Sequence, residues 1–120
     1  MNKNQIKIQE KCIDFAVRII NLKKFLNKSK KEFNISDQIQ RSGTSIGALY
    51  SEAVYAESES DLIHKLGISQ KEANETLYWL KILYKSKYIT QEQYDSLAKD
   101  ADEIMKIITS IIIKLKNKRT

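Results

Sequence analysis

The segment Arg41-Ser42-Gly43-Thr44-Ser45-Ile46-Gly47-Ala48-Leu49-Tyr50 places two glycines four positions apart among small polar residues. Positions four apart lie on the same face of a helix, so Gly43 and Gly47 share one face. Glycine in a helix interior costs about 1 kcal/mol relative to alanine, and a pair on one face is typical of a close approach by another backbone. The competing interpretation is a slightly weakened helix with no special contact; the spacing favours close packing.

On both sides of this segment, apolar and small residues recur at alternating spacings of four and three, the pattern of a helical face in a bundle. The pattern divides the chain into four helical segments. Segments one, three and four span about residues 4–28, 60–86 and 91–116, and segment two, which contains residues 41–50, begins near Ser36, its predicted N-cap. In chain order, the predicted core residues are Ile8, Cys12, Phe15, Ile19, Leu22, Leu26, Ile35, Ile39, Ser42, Ile46, Leu49, Ala53, Ala56, Leu62, Leu66, Ser69, Ala73, Thr76, Leu80, Leu83, Tyr94, Leu97, Ala101, Ile104, Ile108, Ile111 and Leu115.

The boundaries between segments are also encoded locally. The chain has no proline, so nothing of that kind interrupts a long helix. Ser58 with Asp61, and Thr90 with Gln93, have the spacing of a capping box at a helix N-terminus. Because the links are short, neighbouring helices should run antiparallel. We predict one all-α domain over residues 1–120, an up-down-up-down four-helix bundle.

Lysine dominates the charge of the chain. Lys and Arg number 21 against 15 Asp and Glu, giving a formal net charge of +6, which favours polyanionic partners. Arginine occurs only at Arg18, Arg41 and Arg119, so contacts with phosphates are expected rather than base recognition. An equally open interpretation is that the lysines reflect an AT-rich genome and keep the surface soluble.

In such a bundle, the basic residues gather at its two ends. One end contains the link between segments one and two and the link between segments three and four, and we name it the lysine pole. Its basic residues are Lys23, Lys24, Lys28, Lys30, Lys31, Lys85 and Lys87. It is opposed mainly by Glu32, Asp37, Glu92 and Asp95. The terminal pole holds Lys3, Lys7, Lys114, Lys116, Lys118 and Arg119, offset by Glu52, Glu57, Glu59 and Asp61. The lysine pole is therefore the predicted nucleic-acid-binding surface.

The sequence contains no complete pattern for catalysis, a cofactor or a metal site. His64 is the only histidine, and Asp61 three residues before it cannot supply the ligands of a di-iron bundle site. No nucleophile elbow or phosphate-binding glycine loop is present. Segments two and three should pack antiparallel, so some of the four glutamates Glu52, Glu57, Glu72 and Glu75 could face each other as metal ligands. The favoured interpretation is that they are solvated and paired with Lys65, Lys71 and Lys81. We predict a protein that is not an enzyme and needs no cofactor.

Compartment and assembly follow from the cysteine and from surplus apolar residues. Cys12 is the only cysteine, which suits a reducing cytoplasm, and no apolar run is long enough to span a membrane.

Tyr78 and Trp79 are adjacent, so one of them should point away from the core. For Trp79, a core position and an interface position are equally open. The predicted interface of a homo-oligomer comprises Ile6, Ile13, Trp79, Ile107 and Ile113.

The segment 41–50, the following Glu52-Ala53, and the stretch Lys71-Glu72-Ala73-Asn74-Glu75-Thr76-Leu77-Tyr78-Trp79-Leu80 resemble the bacterial four helix bundle protein family. Its members are also known as the intervening-sequence proteins of large-subunit ribosomal RNA genes. The resemblance implies a five-fold ring and a relationship to the accessory variability determinant of diversity-generating retroelements, a basic barrel thought to bind RNA and its reverse transcriptase. It implies no catalytic residue. The chain departs from the family pattern at Ala48-Leu49, where Ala-Asn is usual, and at Gly67-Ile68-Ser69.

The sequence is compatible with two functions. The first is non-catalytic binding of RNA or DNA backbone by an oligomer, as an accessory to an RNA or retroelement process. The second is a structural or adaptor role, in which the ring binds a protein such as a polymerase and has no affinity for nucleic acid. Salt-sensitive binding that is indifferent to sequence would distinguish the first from the second.

Overall fold

The computed structural model describes residues 1–118, and nearly all of them belong to four α-helices. Arg119, a predicted member of the terminal pole, lies outside the described residues. The helices are α1, Lys3–Ser29; α2, Asn34–Val54; α3, Glu59–Lys85; and α4, Gln91–Lys118. Residues 1–118 contain no strand. Each helix packs against its neighbours in chain order and α1 also meets α4, forming an antiparallel bundle of about 49 × 22 × 22 Å. The prediction of a four-helix bundle is confirmed.

The predicted core is largely correct. All six predicted positions of α1 are buried, as are most of those on α2, α3 and α4. Seven predicted positions are only half-buried, namely Ile35, Leu49, Ala56, Leu62, Tyr94, Ile111 and Leu115. At two of them the face turns slightly, so that Tyr50 is buried in place of Leu49 and Ile112 in place of Ile111. A helix of 3.6 residues per turn drifts against a seven-residue repeat, so a neighbouring residue takes over the core position towards the end of a long helix.

The α2 segment 41–50, which contains Gly43 and Gly47, packs closely against α1. A Cβ added at Gly47 would lie 2.8 Å from Cys12 Cβ, and one at Gly43 would lie 2.9 Å from Ile19 Cγ1. Both distances are shorter than carbon atoms normally tolerate, so the close-packing interpretation is confirmed. Gly67 is different: nothing lies within 4 Å of an added Cβ, and α3 continues through it without a break.

The α2–α3 contact contains hydroxyl groups inside the core. The Thr76 hydroxyl donates to Ser42 Oγ at 2.9 Å, and the Ser69 hydroxyl donates to the Ile46 carbonyl at 2.8 Å. Within residues 1–118, every buried side-chain polar atom has a hydrogen-bond partner. Buried hydroxyls are tolerated when they are bonded in this way. The two sequence stretches that carry the family resemblance therefore meet in one interface.

The α1–α4 contact is looser than the other three. A groove open to solvent runs between these helices, lined at one end by Arg18, Leu22, Phe25, Gln93 and Leu97. Ion pairs bridge it: Arg18 Nη1 lies 2.6 Å from Asp100 Oδ2, and Lys11 Nζ lies 3.4 Å from Glu103 Oε2. Side chains of opposite charge therefore span a boundary that apolar residues do not close.

Candidate nucleic-acid interface

The lysine pole is formed where α1 and α3 end and α2 and α4 begin. Lys24, Lys28, Lys30, Lys31, Lys85 and Lys87 are all exposed to solvent. Lys23 is the exception, because it is half-buried and its Nζ lies 2.5 Å from Asp37 Oδ1. Six of the seven predicted cations are thus on one accessible surface, and the seventh is neutralised by an ion pair.

Two of the four opposing carboxylates have partners in the protein. Asp37 pairs with Lys23, and Glu32 is 8 % exposed. The Glu32 carboxylate accepts hydrogen bonds from the backbone N–H groups of Asn34, Ile35 and Ser36, at 3.0, 2.8 and 2.8 Å. Burial and pairing weaken the field that these two groups project into solvent. Glu92 and Asp95 remain exposed on α4.

Glu32 also corrects the predicted start of α2. The helix begins at Asn34 rather than after Ser36, and the N-cap residue Phe33 makes no side-chain cap. Ser36 lies inside the first turn, buried, and its hydroxyl donates to Asn27 Oδ1 at 3.0 Å. An acidic residue just before a helix is favourable at the positive end of the helix dipole. Because serine is the commoner N-cap residue, the sequence alone favours a start at Ser36 over a helix that begins two residues after Glu32.

Lysines occupy left-handed backbone positions in both turns of the lysine pole. Lys31 has φ 53° and Lys87 has φ 66°. After α3, the Lys87 N–H donates to the Tyr84 carbonyl and the Tyr88 N–H donates to the Leu83 carbonyl, an arrangement in which glycine is the usual residue. A residue other than glycine costs of order 1 kcal/mol there. Both turns therefore carry a lysine at a backbone conformation that glycine adopts with less strain.

Part of the lysine distribution has a local explanation. Cations stabilise the last turn of a helix by complementing its dipole, and Lys28 and Lys85 lie in the last turns of α1 and α3. Lys30 in addition stands over the ring of Phe25, its Nζ 5.9 Å from the ring centroid. Lys24 and the two left-handed lysines are not explained by these contacts.

The carboxylates predicted to pair with lysines on α3 have another partner. Arg41 of α2 pairs with Glu75, and its Nη1 lies 3.3 Å from Glu72 Oε2. Glu75 also accepts from Trp79 Nε1 at 3.1 Å. The prediction of lysine partners for Glu72 and Glu75 is wrong, because residues on adjacent antiparallel helices face each other more directly than neighbours along α3.

The five apolar positions assigned to an oligomer interface divide into two groups. Ile6, Ile13 and Ile113 are exposed by 44 %, 50 % and 53 %. Trp79 and Ile107 are half-buried and pack against the core. Val17, which the sequence analysis did not identify, is 50 % exposed and lies one helical turn after Ile13 on the same face of α1. An outward apolar strip on α1 therefore exists in a single chain.

The described residues do not assemble a metal-binding group. No set of three or more histidine, cysteine or carboxylate side chains in residues 1–118 has the geometry to hold a metal ion. His64 is exposed, and Asp61 pairs with Lys65 rather than with His64. Over the same residues, no helix is sufficiently long and apolar to cross a membrane.

Fold and surface together define a basic, all-α four-helix-bundle protein. The chain belongs to the 23S rRNA-intervening sequence protein family, whose model matches residues 4–110. It is also similar to a protein of unknown function from the S23 ribosomal protein family of Bacteroides thetaiotaomicron, known from a crystal structure. The two are 55 % identical with a TM-score of 0.86, over 88 % of this chain and 97 % of the other. No protein with a curated description gives a significant match.

Proposed function

We propose that this protein is a non-catalytic, oligomeric bundle that binds the backbone of RNA or DNA through the lysine pole. The observation that supports the proposal is the charge distribution there. Six exposed lysines are opposed by four carboxylates, of which Glu32 is buried against the start of α2 and Asp37 forms a surface ion pair with Lys23. Ammonium groups attract phosphates without selecting bases, so affinity should depend strongly on salt and little on sequence.

Self-assembly is the second part of the proposal. The exposed strip of Ile6, Ile13 and Val17 on α1, with Ile113 on α4, is apolar surface that a second copy could bury. The family resemblance implies five copies. Five chains, each at +6, would together carry +30, which would strengthen the attraction for a polyanion. A cytoplasmic location suits the free, buried thiol of Cys12.

The test of binding is an anisotropy titration with structured RNA and with DNA at two salt concentrations. We expect affinity for both at low salt and a steep loss at higher salt. Replacing Lys24, Lys28, Lys30 and Lys31 with glutamine should weaken binding while the oligomer stays intact. The matched control removes Lys3, Lys7, Lys114 and Lys116 from the terminal pole. Absence of binding to either nucleic acid at low salt contradicts the proposal.

The alternative function is an adaptor that binds a protein such as a polymerase. The same apolar strip on α1 favours it, since exposed isoleucine and valine serve protein contacts rather than phosphate contacts. Light scattering separates the two uses of the strip: a monomer mass at micromolar concentration leaves it free for another protein. An assembly with no affinity for nucleic acid would favour the adaptor role.

A further inference from the structure

The solvent face of α3 differs in charge from that of the other helices. After the first two residues of α3, its exposed positions are His64, Lys71, Asn74, Tyr78, Lys81 and Lys85. None of them is acidic, whereas α1, α2 and α4 each expose carboxylates along their described lengths. We name the part from Lys71 to Lys85 the α3 track. Its spacings of three and four keep it on one helical face.

The α3 track leads into the lysine pole. Lys85 belongs to both, and Lys87 follows two residues later, in the link after α3. With a rise of about 1.5 Å per residue, the track is roughly 21 Å long. Lys71 and Lys85 form no ion pair with any residue of the described chain. The carboxylates beside the track, Glu72 and Glu75, are paired with Arg41 on the neighbouring helix.

Tyr78 places an aromatic ring in the middle of these cations. It is 58 % exposed, and its ring meets Trp79 edge-on, with centroids 5.2 Å apart and planes at 68°. Trp79 is itself held by the hydrogen bond from its indole N–H to Glu75. Tyr78 is therefore a supported ring with an open surface, in contrast to Tyr84 and Tyr94, which stack on each other.

We propose that the α3 track binds single-stranded nucleic acid, with Lys71, Lys81 and Lys85 at phosphates and Tyr78 stacked on an unpaired base. This rests on the proposed function and adds to it the strand form and a location. Cationic grooves and surfaces with aromatic stacking platforms bind single strands with little sequence preference. A duplex presents phosphates but keeps its base faces stacked inside, so it cannot use the Tyr78 ring. The position of Lys81 is supported by Tyr94, whose ring centroid lies 4.7 Å from Lys81 Nζ.

The experiment measures anisotropy of labelled uridine and thymidine homopolymers of about 12 nucleotides, and of a duplex of the same length, with the full-length protein. Tyr78→Ala should weaken single-strand binding by about 5-fold or more and leave duplex binding within about 2-fold. Tyr78→Phe keeps the stacking ring and should stay within about 2-fold of the parent. Tyr78 is exposed, so thermal unfolding should be similar for all three proteins.

Charge is tested separately with two matched double variants. Lys71→Gln with Lys81→Gln should lower the slope of log affinity against log salt by about 1.4, because each lost single-strand phosphate contact contributes about 0.7. Lys3→Gln with Lys7→Gln removes the same charge at the terminal pole and should leave that slope unchanged. RNA and DNA homopolymers should respond alike, because the contacts involve phosphate and base faces.

The outcomes separate this inference from the proposed function. Equal losses in the two double variants, or no effect of Tyr78→Ala on single strands, overturn the α3 track while binding at the lysine pole stands. Duplex binding that falls as much as single-strand binding in Tyr78→Ala also overturns it. Failure to bind any nucleic acid overturns both the α3 track and the proposed function. If the α3 track then binds a protein partner instead, the surface is assigned to a protein.

Discussion

Helix α1 has two neighbours and packs against them in different ways. Towards α2, the glycines bring the helices so close that Gly47 faces Cys12 and Gly43 faces Ile19 without room for another methyl group. Towards α4, an open groove is bridged by the Arg18–Asp100 and Lys11–Glu103 ion pairs. Apolar contact at short range excludes water, and exposed ion pairs do not. The α1–α2 contact should therefore dominate stability, while the α1–α4 contact should contribute little.

The largest expected effect comes from removing a side chain at the close contact. Ile19 is 0 % exposed, and Ile19→Ala should destabilise the fold by about 2–5 kcal/mol. Glu10 lies on the exposed side of the same helix, and Glu10→Ala should change stability by no more than about 0.5 kcal/mol. Urea denaturation of both variants measures the difference. Similar losses in the two would contradict the assignment of α1's stabilising face.

Alkaline pH should weaken the same contact through Cys12, which is 2 % exposed. Burial raises the pKa of the Cys12 thiol from 9.0 to about 11, so the native protein retains a proton that the unfolded chain releases. The resulting stability is fully present below pH 9.0, and it declines as the pH rises and is lost through the folded pKa. The loss should reach about 2–3 kcal/mol.

Cys12→Ala provides the control for that titration. Unfolding free energies from about pH 8 to about pH 11 should fall less steeply in the variant. Tyr50 contributes a further decline at higher pH, because burial and then the Cys12 charge raise the pKa of its phenol. Parallel pH profiles for the two proteins would show that the thiol is not kept from water by the α1–α2 contact.

Two glycine substitutions should have opposite signs. Alanine is preferred to glycine in a helix by about 1 kcal/mol, and Gly67→Ala has open space, so it should stabilise α3 by about that amount. At Gly47 the added Cβ would overlap Cys12, at a cost of about 1–3 kcal/mol. Gly47→Ala should therefore give a net destabilisation of up to about 2 kcal/mol. Stabilisation at both positions, measured by thermal unfolding, would refute the close-contact argument.

The smallest effect is expected at the groove. The Arg18 and Asp100 side chains are each 39 % exposed, and exposed ion pairs contribute about 0.2–1 kcal/mol. A double-mutant cycle with Arg18→Ala and Asp100→Ala should give a coupling energy in that range, decreasing as salt is added. A coupling above about 2 kcal/mol would mean that the groove is closed in solution, and the contrast between the two sides of α1 would fail.

Local patterns in the sequence were sufficient for the helices and most of the core. The spacing of Ile8, Cys12 and Phe15 identifies the buried face of α1, and Thr90 with Gln93 forms the predicted reciprocal cap of α4, at 2.8 and 3.1 Å. An equivalent cap at Asn2 and Gln5, at the start of α1, has the same spacing and was overlooked. These features depend on residues within two turns of one another, so the sequence contains the full information for them.

The candidate site was only partly predictable. The lysine pole follows from helix order, since antiparallel helices with short links must bring the same ends together. The engagement of Glu32 by α2 and of Asp37 by Lys23 did not follow, although both determine the field at that pole. The α3 track was not predicted, because it is defined by which residues of α3 stay exposed to solvent in the bundle and not by a sequence motif.

By itself, the sequence determined four amphipathic helices, their order, the close contact at Gly43 and Gly47, and a surplus of lysine. Only the tertiary structure decided that Tyr78 faces solvent while Trp79 packs inward, that Arg41 pairs with Glu72 and Glu75, and that the α1–α4 boundary stays open. The physical reason is that helical periodicity specifies a face only to within one residue position. The rotation and axial offset between packed helices then select which of two adjacent side chains is buried and which charges meet.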